Sequence, residues 1–227
     1  MAPTPAVPSH AVPTRAVPPH ALPARPLGSF PLRGVVPYIT AWSSEAEQPA
    51  ALVVRRGRLG YADEHPLDRD RFGILWRRIG ASPGVGTPEY GRVHSLRQRR
   101  TMLRALCQVC GGPADRDRDG VLWLMGRAEY EREPWPAPIE SPHPPVCTPC
   151  ARKAVRLCPH LRDHYVAVRA RHFHLSAVHG ALHVPTVARP RAVAVETLPL
   201  YSPRTVWLQA GQYITRLVDY RTVRLPE

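Results

Sequence analysis

Four cysteines in two close pairs are the residues of this chain best suited to chemistry. Cys107-Gln-Val-Cys110 is followed by Gly111-Gly112, and Cys147-Thr-Pro-Cys150 comes after 36 intervening residues. Two thiolates separated by two residues can reach one metal ion, and two such pairs complete the tetrahedral all-sulfur shell that zinc accepts. Glycines after the first pair permit the left-handed turn of a metal-binding knuckle. The second pair opens a predicted helix: Pro149 suits its first turn, and Ala151, Ala154, Val155 and Cys158 form an apolar stripe. The positive end of that helix favours thiolate. The expected metal ligands are therefore Cys107, Cys110, Cys147 and Cys150, with Zn2+ as the cofactor.

Between the pairs, an Asp-Gly turn leads into the apolar run Val121–Met125, which reads as a strand. Knuckle, hairpin and a helix carrying the second pair, over residues 105–160, together resemble a treble-clef zinc finger. The catalytic relatives of that layout are the HNH and phage recombination-endonuclease families, which follow the first knuckle with an Asp-His motif and a hydrophobic strand. Here the matching stretch is Asp115-Arg116-Asp117-Arg118-Asp119-Gly120-Val121-Leu122-Trp123, with arginine where the histidine should stand. A guanidinium stays protonated and cannot accept the proton of an attacking water. The resemblance thus implies a fold and a structural zinc, and leaves a degenerate HNH-like nuclease as a lesser alternative. The chain as a whole resembles Arg-rich proteins of actinomycetes, which implies no function.

Other readings compete for the same residues. Asp115, Asp117, Asp119 and Gly120 match the start of a calcium loop, but its twelfth position, normally a bidentate glutamate, is Gly126. A polar hairpin turn is the simpler expectation. Cys147-Thr-Pro-Cys150 resembles the redox pair of thioredoxin-like proteins, with Val184-Pro185-Thr186 as their later proline, and a pair at a helix start has a lowered thiol pKa. A thiol oxidoreductase using Cys147 and Cys150 is the main enzymatic rival, although it leaves Cys107 and Cys110 without a role. Cys158 with His160 and His164 offers a second ligand group or a replacement ligand. His172 and His174 would share a strand face near His179 and His183. Trp42, Trp76 and Trp123 read as core rather than as base-stacking platforms.

The elements that must position the cysteines are less distinct. The fold class expected is α+β: small sheets with helices around an embedded zinc finger. Val35–Trp42, Ala51–Arg56, Gly60–Ala62 and Gly73–Ile79 read as strands, with a loop over Gly80–Gly91. A helix is predicted over Ser95–Leu106, capped by Ser95, with Leu96, Met102, Leu103 and Leu106 on one arc and Arg97, Arg100 and Arg104 on another. Val166–Ala170, Ala177–Val184 and Ala192–Glu196 read as further strands, and Trp207–Tyr220 as a C-terminal helix. The divisions expected are a Pro-rich tail (1–33), an N-terminal α+β region (34–104), the finger (105–160) and a C-terminal α+β region (161–227).

The tail carries four pentapeptides from Ala6 to Arg25, each with a proline in third place. Regular proline removes backbone donors and favours polyproline II over a core, so disorder is expected. The net charge is +13, which points to an anionic partner. The skew discounts this, since 30 of the 31 basic residues are arginine, as a GC-rich genome produces regardless of function. No apolar run is long enough to span a membrane and no secretory pattern opens the chain, so a cytoplasmic location and no membrane partner are expected. The resulting reading is a non-catalytic zinc-finger protein that binds nucleic acid or regulates, with Arg97, Arg99, Arg100 and Arg104 as phosphate contacts. The alternative is a protein-interaction adaptor whose tail recruits a partner.

Overall fold

The computed structural model describes residues 35–132 and 136–225; the Pro-rich repeat lies outside them. The elements, in order, are β1 (Thr40–Trp42), β2 (Leu52–Arg55), β3 (Arg58–Tyr61), β4 (Leu75–Trp76), β5 (Pro88–Val93), α1 (Ser95–Arg104), β6 (Arg116–Asp117), β7 (Gly120–Gly126), α2 (Arg127–Tyr130), β8 (Ile139–Ser141), α3 (Thr148–Leu157), β9 (Tyr165–Val184), β10 (Arg191–Pro199) and β11 (Leu208–Val223). The result is a mixed α/β fold around a seven-stranded sheet, with few helices. No helix among the described residues is long and apolar enough to cross a membrane.

The sheet grows from one long antiparallel ribbon, β9 against β11. On the outer side of β9, β7 pairs with its first third and β10 with its last. On the outer side of β11, β8 and the parallel strand β4 add on. Strand β6 extends the sheet beyond β7. One face carries Trp123, Met125, Val168 and Leu217 in a core closed by Phe173 and Tyr220. A second core, under α1, joins Trp76, Met102, Val178, Leu208 and Tyr213. A third lies between the sheet and the cysteine region, built from Leu122, Leu124, Ala167, Val146, Cys107 and Ala151.

Several expectations are corrected here. Trp207–Tyr220 is not a helix; it belongs mainly to β11. The pairing of β11 with β9 shifts register four times, beginning between Ala210 and Gln212. Two of the shifts insert an extra residue into β11, at Gly211 and Val218, and each of these reverses the in/out phase of that strand, so Leu208, Ile214, Leu217 and Val218 recur at spacings that imitate a helix. The two strands expected at Val166–Ala170 and Ala177–Val184 are one twenty-residue strand, β9, since β11 runs beside the polar middle as well. The loop expected over Gly80–Gly91 ends early, because Pro88 onward pairs with β1.

Helix α1 forms where expected, with Met102 buried and Arg100 and Arg104 exposed as expected, but it is rotated so that Arg97 faces in and Leu96 and Leu103 face out. Its buried residues are Ser95, Arg97, Gln98, Thr101 and Met102, while Leu96 and Leu103 are 40% and 38% exposed. Its cap is His94, not Ser95: the His94 ring accepts the Arg97 N–H at 3.4 Å and lies 2.9 Å from the Gly80 carbonyl. The ring must therefore carry its proton on Nε2. Burial pushes the imidazole pKa down, which holds this neutral form despite Glu45 nearby.

Polar partners explain the rotation. The Gln98 amide donates to the Tyr213 carbonyl at 2.8 Å and the Pro142 carbonyl at 3.0 Å, and accepts the Tyr213 N–H at 3.0 Å. Arg97 donates both terminal nitrogens to Glu45 at 2.6 Å and one of them to the Thr40 carbonyl at 2.7 Å. Buried polar groups with satisfied partners cost little, and removing one partner costs much more.

Candidate metal centre and its arginine surroundings

Helix α1 ends at Ala105, which adopts a left-handed conformation (φ 48°) and aims the chain at Cys107. The next turn closes tightly: the Cys107 N–H donates to the Gly112 carbonyl at 2.7 Å and the Gly111 N–H to the Cys107 carbonyl at 2.8 Å. The Val109 N–H points at the Cys107 sulfur, 3.4 Å away. Gly111 sits at φ 72°, and a Cβ there would lie 2.9 Å from the Tyr38 ring, so glycine is required on both counts. The incoming chain is stitched to this knuckle by Tyr38 N–H to the Val109 carbonyl (2.8 Å) and Ile39 N–H to the Gln108 carbonyl (3.2 Å).

The second pair arrives on the first turn of α3. Cys147 is the cap residue, Thr148 and Pro149 occupy the first turn, and the Ala151 N–H donates to the Cys147 carbonyl at 2.9 Å. Two bonds tie this end to the segment after the knuckle: Asp115 N–H to the Val146 carbonyl at 3.1 Å, and the Thr148 hydroxyl to the Asp115 carboxylate at 2.7 Å. The four sulfurs consequently lie within 4.8 Å of one another, with Cys110 and Cys147 3.9 Å apart. Cys107 is buried, Cys147 and Cys150 are half-buried and Cys110 is exposed.

These four cysteines can hold a metal ion. Burial pushes the Cys107 thiol up to about 11, and burial together with the neighbouring Cys147 thiol pushes Cys150 higher still. Burial acts the same way at Cys110, but the Gly112 N–H and the surrounding thiols outweigh it and hold that thiol below its ordinary value. Cys107 and Cys150 thus resist ionisation while Cys110 favours it, and several thiolates this close repel one another unless a cation lies between them. Cys158 closes α3 and stands outside the four-sulfur group, as do His160 and His164.

The aspartates of the Asp115–Gly120 stretch do not face a common centre. The alternation puts each acid onto an arginine of the sheet. Asp115 accepts from Arg169 at 2.6 Å, and Arg169 Nε lies 3.1 Å from Asp117. Asp119 is shared by Arg118, Arg171 and Arg221. Burial raises the Asp115 carboxyl, but Thr148 and Arg169 outweigh it and keep its pKa below the ordinary range. Asp115 therefore links the second cysteine pair to the sheet, through Thr148 on one side and Arg169 on the other. The signal was present in the sequence as a period-two alternation of Asp and Arg, the pattern of a strand with one committed face.

The arginines of α1 are dispersed. Arg97 is sequestered on Glu45. Arg99 is half-buried, lying over the Trp76 ring at 5.1 Å and donating to the Arg69 carbonyl. Arg100 is exposed beside Tyr38, and Arg104 is exposed. Trp76 and Trp123 are both 1% exposed and belong to the core, and Trp42 is half-buried. His172 meets Asp219 at 3.3 Å and His179 meets Thr197 at 3.0 Å, so these histidines make separate contacts.

Compared with protein-family models, with curated proteins and with solved structures, the chain shows no match.

Proposed function

We propose that Cys107, Cys110, Cys147 and Cys150 hold one structural zinc ion, and that the protein is a non-catalytic zinc-organised binder of nucleic acid. The observation that carries the metal assignment is the convergence of four sulfurs, from two distant pairs, within 4.8 Å. An all-thiolate set without an open position suits structural zinc rather than a catalytic ion. The succession of knuckle, β6–β7 hairpin and α3 supports a treble-clef reading of residues 105–160. The +13 charge and the exposed Arg100 and Arg104 support an anionic partner. Arg97 and Arg99, which the sequence places beside them, have inward partners and act through the position of the helix.

A second reading, the protein-interaction adaptor, draws support from β10, where Val193 and Val195 are 44% and 63% exposed. The thiol-oxidoreductase reading fits less well, since thiolates held by zinc are not free nucleophiles.

The test is elemental analysis of protein purified without chelator, followed by anisotropy titration of labelled duplex DNA and RNA at low and moderate salt. One zinc per chain, lost in a Cys110→Ser/Cys150→Ser variant, supports the metal assignment. A reduced chain that takes up no zinc overturns it. Binding that weakens steeply with salt supports nucleic acid as the partner.

A further inference from the structure

Beside the metal centre the sheet carries a basic patch that no feature of the metal site requires. Arg169 and Arg221 are directly opposite one another on β9 and β11, and Arg171, at a register shift of β9, reaches the same Asp119 carboxylate as Arg221. The β6–β7 hairpin reaches over them. Its Asp119, 11% exposed at the side chain, lies beneath three guanidinium groups: Arg171 is 55% exposed, Arg221 57% and Arg118 93%. Arg116, one strand period before Arg118, is exposed and has no ion pair among the described residues.

Five arginines, 116, 118, 169, 171 and 221, thus meet three aspartates, leaving two positive charges on a small surface. Arg169 is the buried member, 12% exposed, and is committed to Asp115, Asp117 and the Gly120 carbonyl. The other four keep outward donors. Three guanidiniums converging on one carboxylate form the donor array that also fits a phosphate, whose oxygens accept in the same forked geometry. None of the large apolar side chains exposed among the described residues lies on the hairpin, so the patch lacks the anchor that a protein partner would use.

We propose that this patch, formed by Arg116, Arg118, Arg171 and Arg221, is the seat of a nucleic-acid phosphodiester backbone. The inference rests on the nucleic-acid reading above and relocates its main contact from α1 to the sheet. Asp119 holds the guanidiniums in place and is partly displaced as phosphate oxygens take over their donors. The hairpin that carries two of the four arginines is anchored through Asp115 and Thr148 to the second cysteine pair, so zinc fixes the seat in position.

The experiment is a salt series of anisotropy titrations on the zinc-loaded full chain, with a labelled DNA duplex and a labelled RNA stem-loop as probes. Three proteins are compared with wild type: Arg118→Ala, the triple variant Arg118→Ala/Arg171→Ala/Arg221→Ala, and Arg100→Ala/Arg104→Ala. For a duplex the log–log salt slope falls by about 0.9 for each phosphate contact removed. The expected result is a loss of about one from Arg118→Ala and of two or more from the triple variant, on at least one probe, and a smaller change in the helix variant. If the triple variant loses its circular-dichroism signature, Arg118→Ala decides alone, since that side chain is exposed. Wild-type slope in Arg118→Ala and the triple variant overturns the seat while leaving the nucleic-acid reading standing. Absence of wild-type binding at low salt on both probes overturns both.

Discussion

At Glu45 the fold buries a carboxylate together with its own cation, whereas at the four cysteines it gathers thiols that can take a cation only from outside. Glu45 is fully buried and takes four hydrogen bonds: two from Arg97 at 2.6 Å, one from the Trp42 N–H at 2.9 Å and one from the Ser82 N–H at 3.0 Å. It locks α1 to the chain that precedes the knuckle. The cysteines lock the knuckle to α3. The two fastenings are neighbours in sequence, yet one is complete once the chain has folded and the other, with zinc as proposed, is completed by binding. That difference predicts separate vulnerabilities: the cysteine module should answer to chelators and oxidants, and the Glu45 node to charge substitution.

The largest effect expected is metal removal. Structural zinc in small modules contributes on the order of 10 kcal/mol of apparent binding free energy near neutral pH, and that energy is folding energy. A strong chelator should therefore release protection of backbone amides across 105–160 in hydrogen exchange. The Asp70 site should keep its protection, because Asp70 is satisfied entirely by the chain: Phe72 and Ile74 N–H, the Trp76 indole and the Tyr213 hydroxyl. Equal loss in both regions would break the comparison.

Next in size is the Glu45 node. Replacing one member of a buried, hydrogen-bonded ion pair typically costs about 3–5 kcal/mol, since the other charge is left uncompensated. Glu45→Gln should lower the urea midpoint accordingly, with zinc content unchanged. Acid separates the two devices further. Burial raises the Glu45 carboxyl, but the hydrogen bonds from Arg97 and the Trp42 N–H outweigh it, and its pKa falls from 4.5 to about 2. A pKa lowered by folding gives stability that is fully present above 4.5 and is lost as the pH falls towards 2. Zinc held as proposed should leave at higher pH, because protons compete for its thiolates. An acid titration should accordingly show metal release first and loss of the node later; simultaneous loss would mean that the node depends on the module.

A smaller effect sharpens the comparison at α1. Gln98 is fully buried and bonds to backbone groups of β11 and the Pro142 segment. Gln98→Ala leaves the Tyr213 N–H without its acceptor, a loss of about 1–3 kcal/mol, readable as a lower thermal midpoint with full zinc occupancy.

How much of this was legible in the sequence follows from the range of the forces involved. The cysteine pairs were readable because ligand spacing is a local covalent property, and Pro149 and the Asp-Gly turn at Asp119 and Gly120 are local punctuation of the same kind. The convergence of the two pairs needed the sheet, and the sheet was poorly legible. Strand β11 is nearly continuously buried from Leu208 to Thr215, because the Trp76 core covers one face while the Gln209 amide meets Tyr61 on the other. Burial on both faces erases period-two alternation. Glu45 and Arg97 lie 52 residues apart, and neither is marked by its neighbours. A buried arginine is rare enough that the charge pattern alone reads as a solvated helix face.

The smallest effect is the most direct check on the rotation of α1. Periodicity assigns Leu96 and Leu103 to the buried arc of α1, and on that assignment leucine-to-glutamine substitutions would each bury an unpaired amide at a cost of about 1–3 kcal/mol. The structure instead leaves both about two-fifths exposed and gives the inner face to Arg97, Gln98, Thr101 and Met102. Glutamine is a good helix former and exposed substitutions usually stay within about 0.5 kcal/mol. Leu96→Gln and Leu103→Gln should therefore unfold at nearly the wild-type urea concentration. Near-neutrality there, beside a clear loss in Gln98→Ala on the same helix, holds only if the polar face points inward. The reverse ranking would rotate α1, return Arg97 to solvent and remove the self-contained half of the comparison.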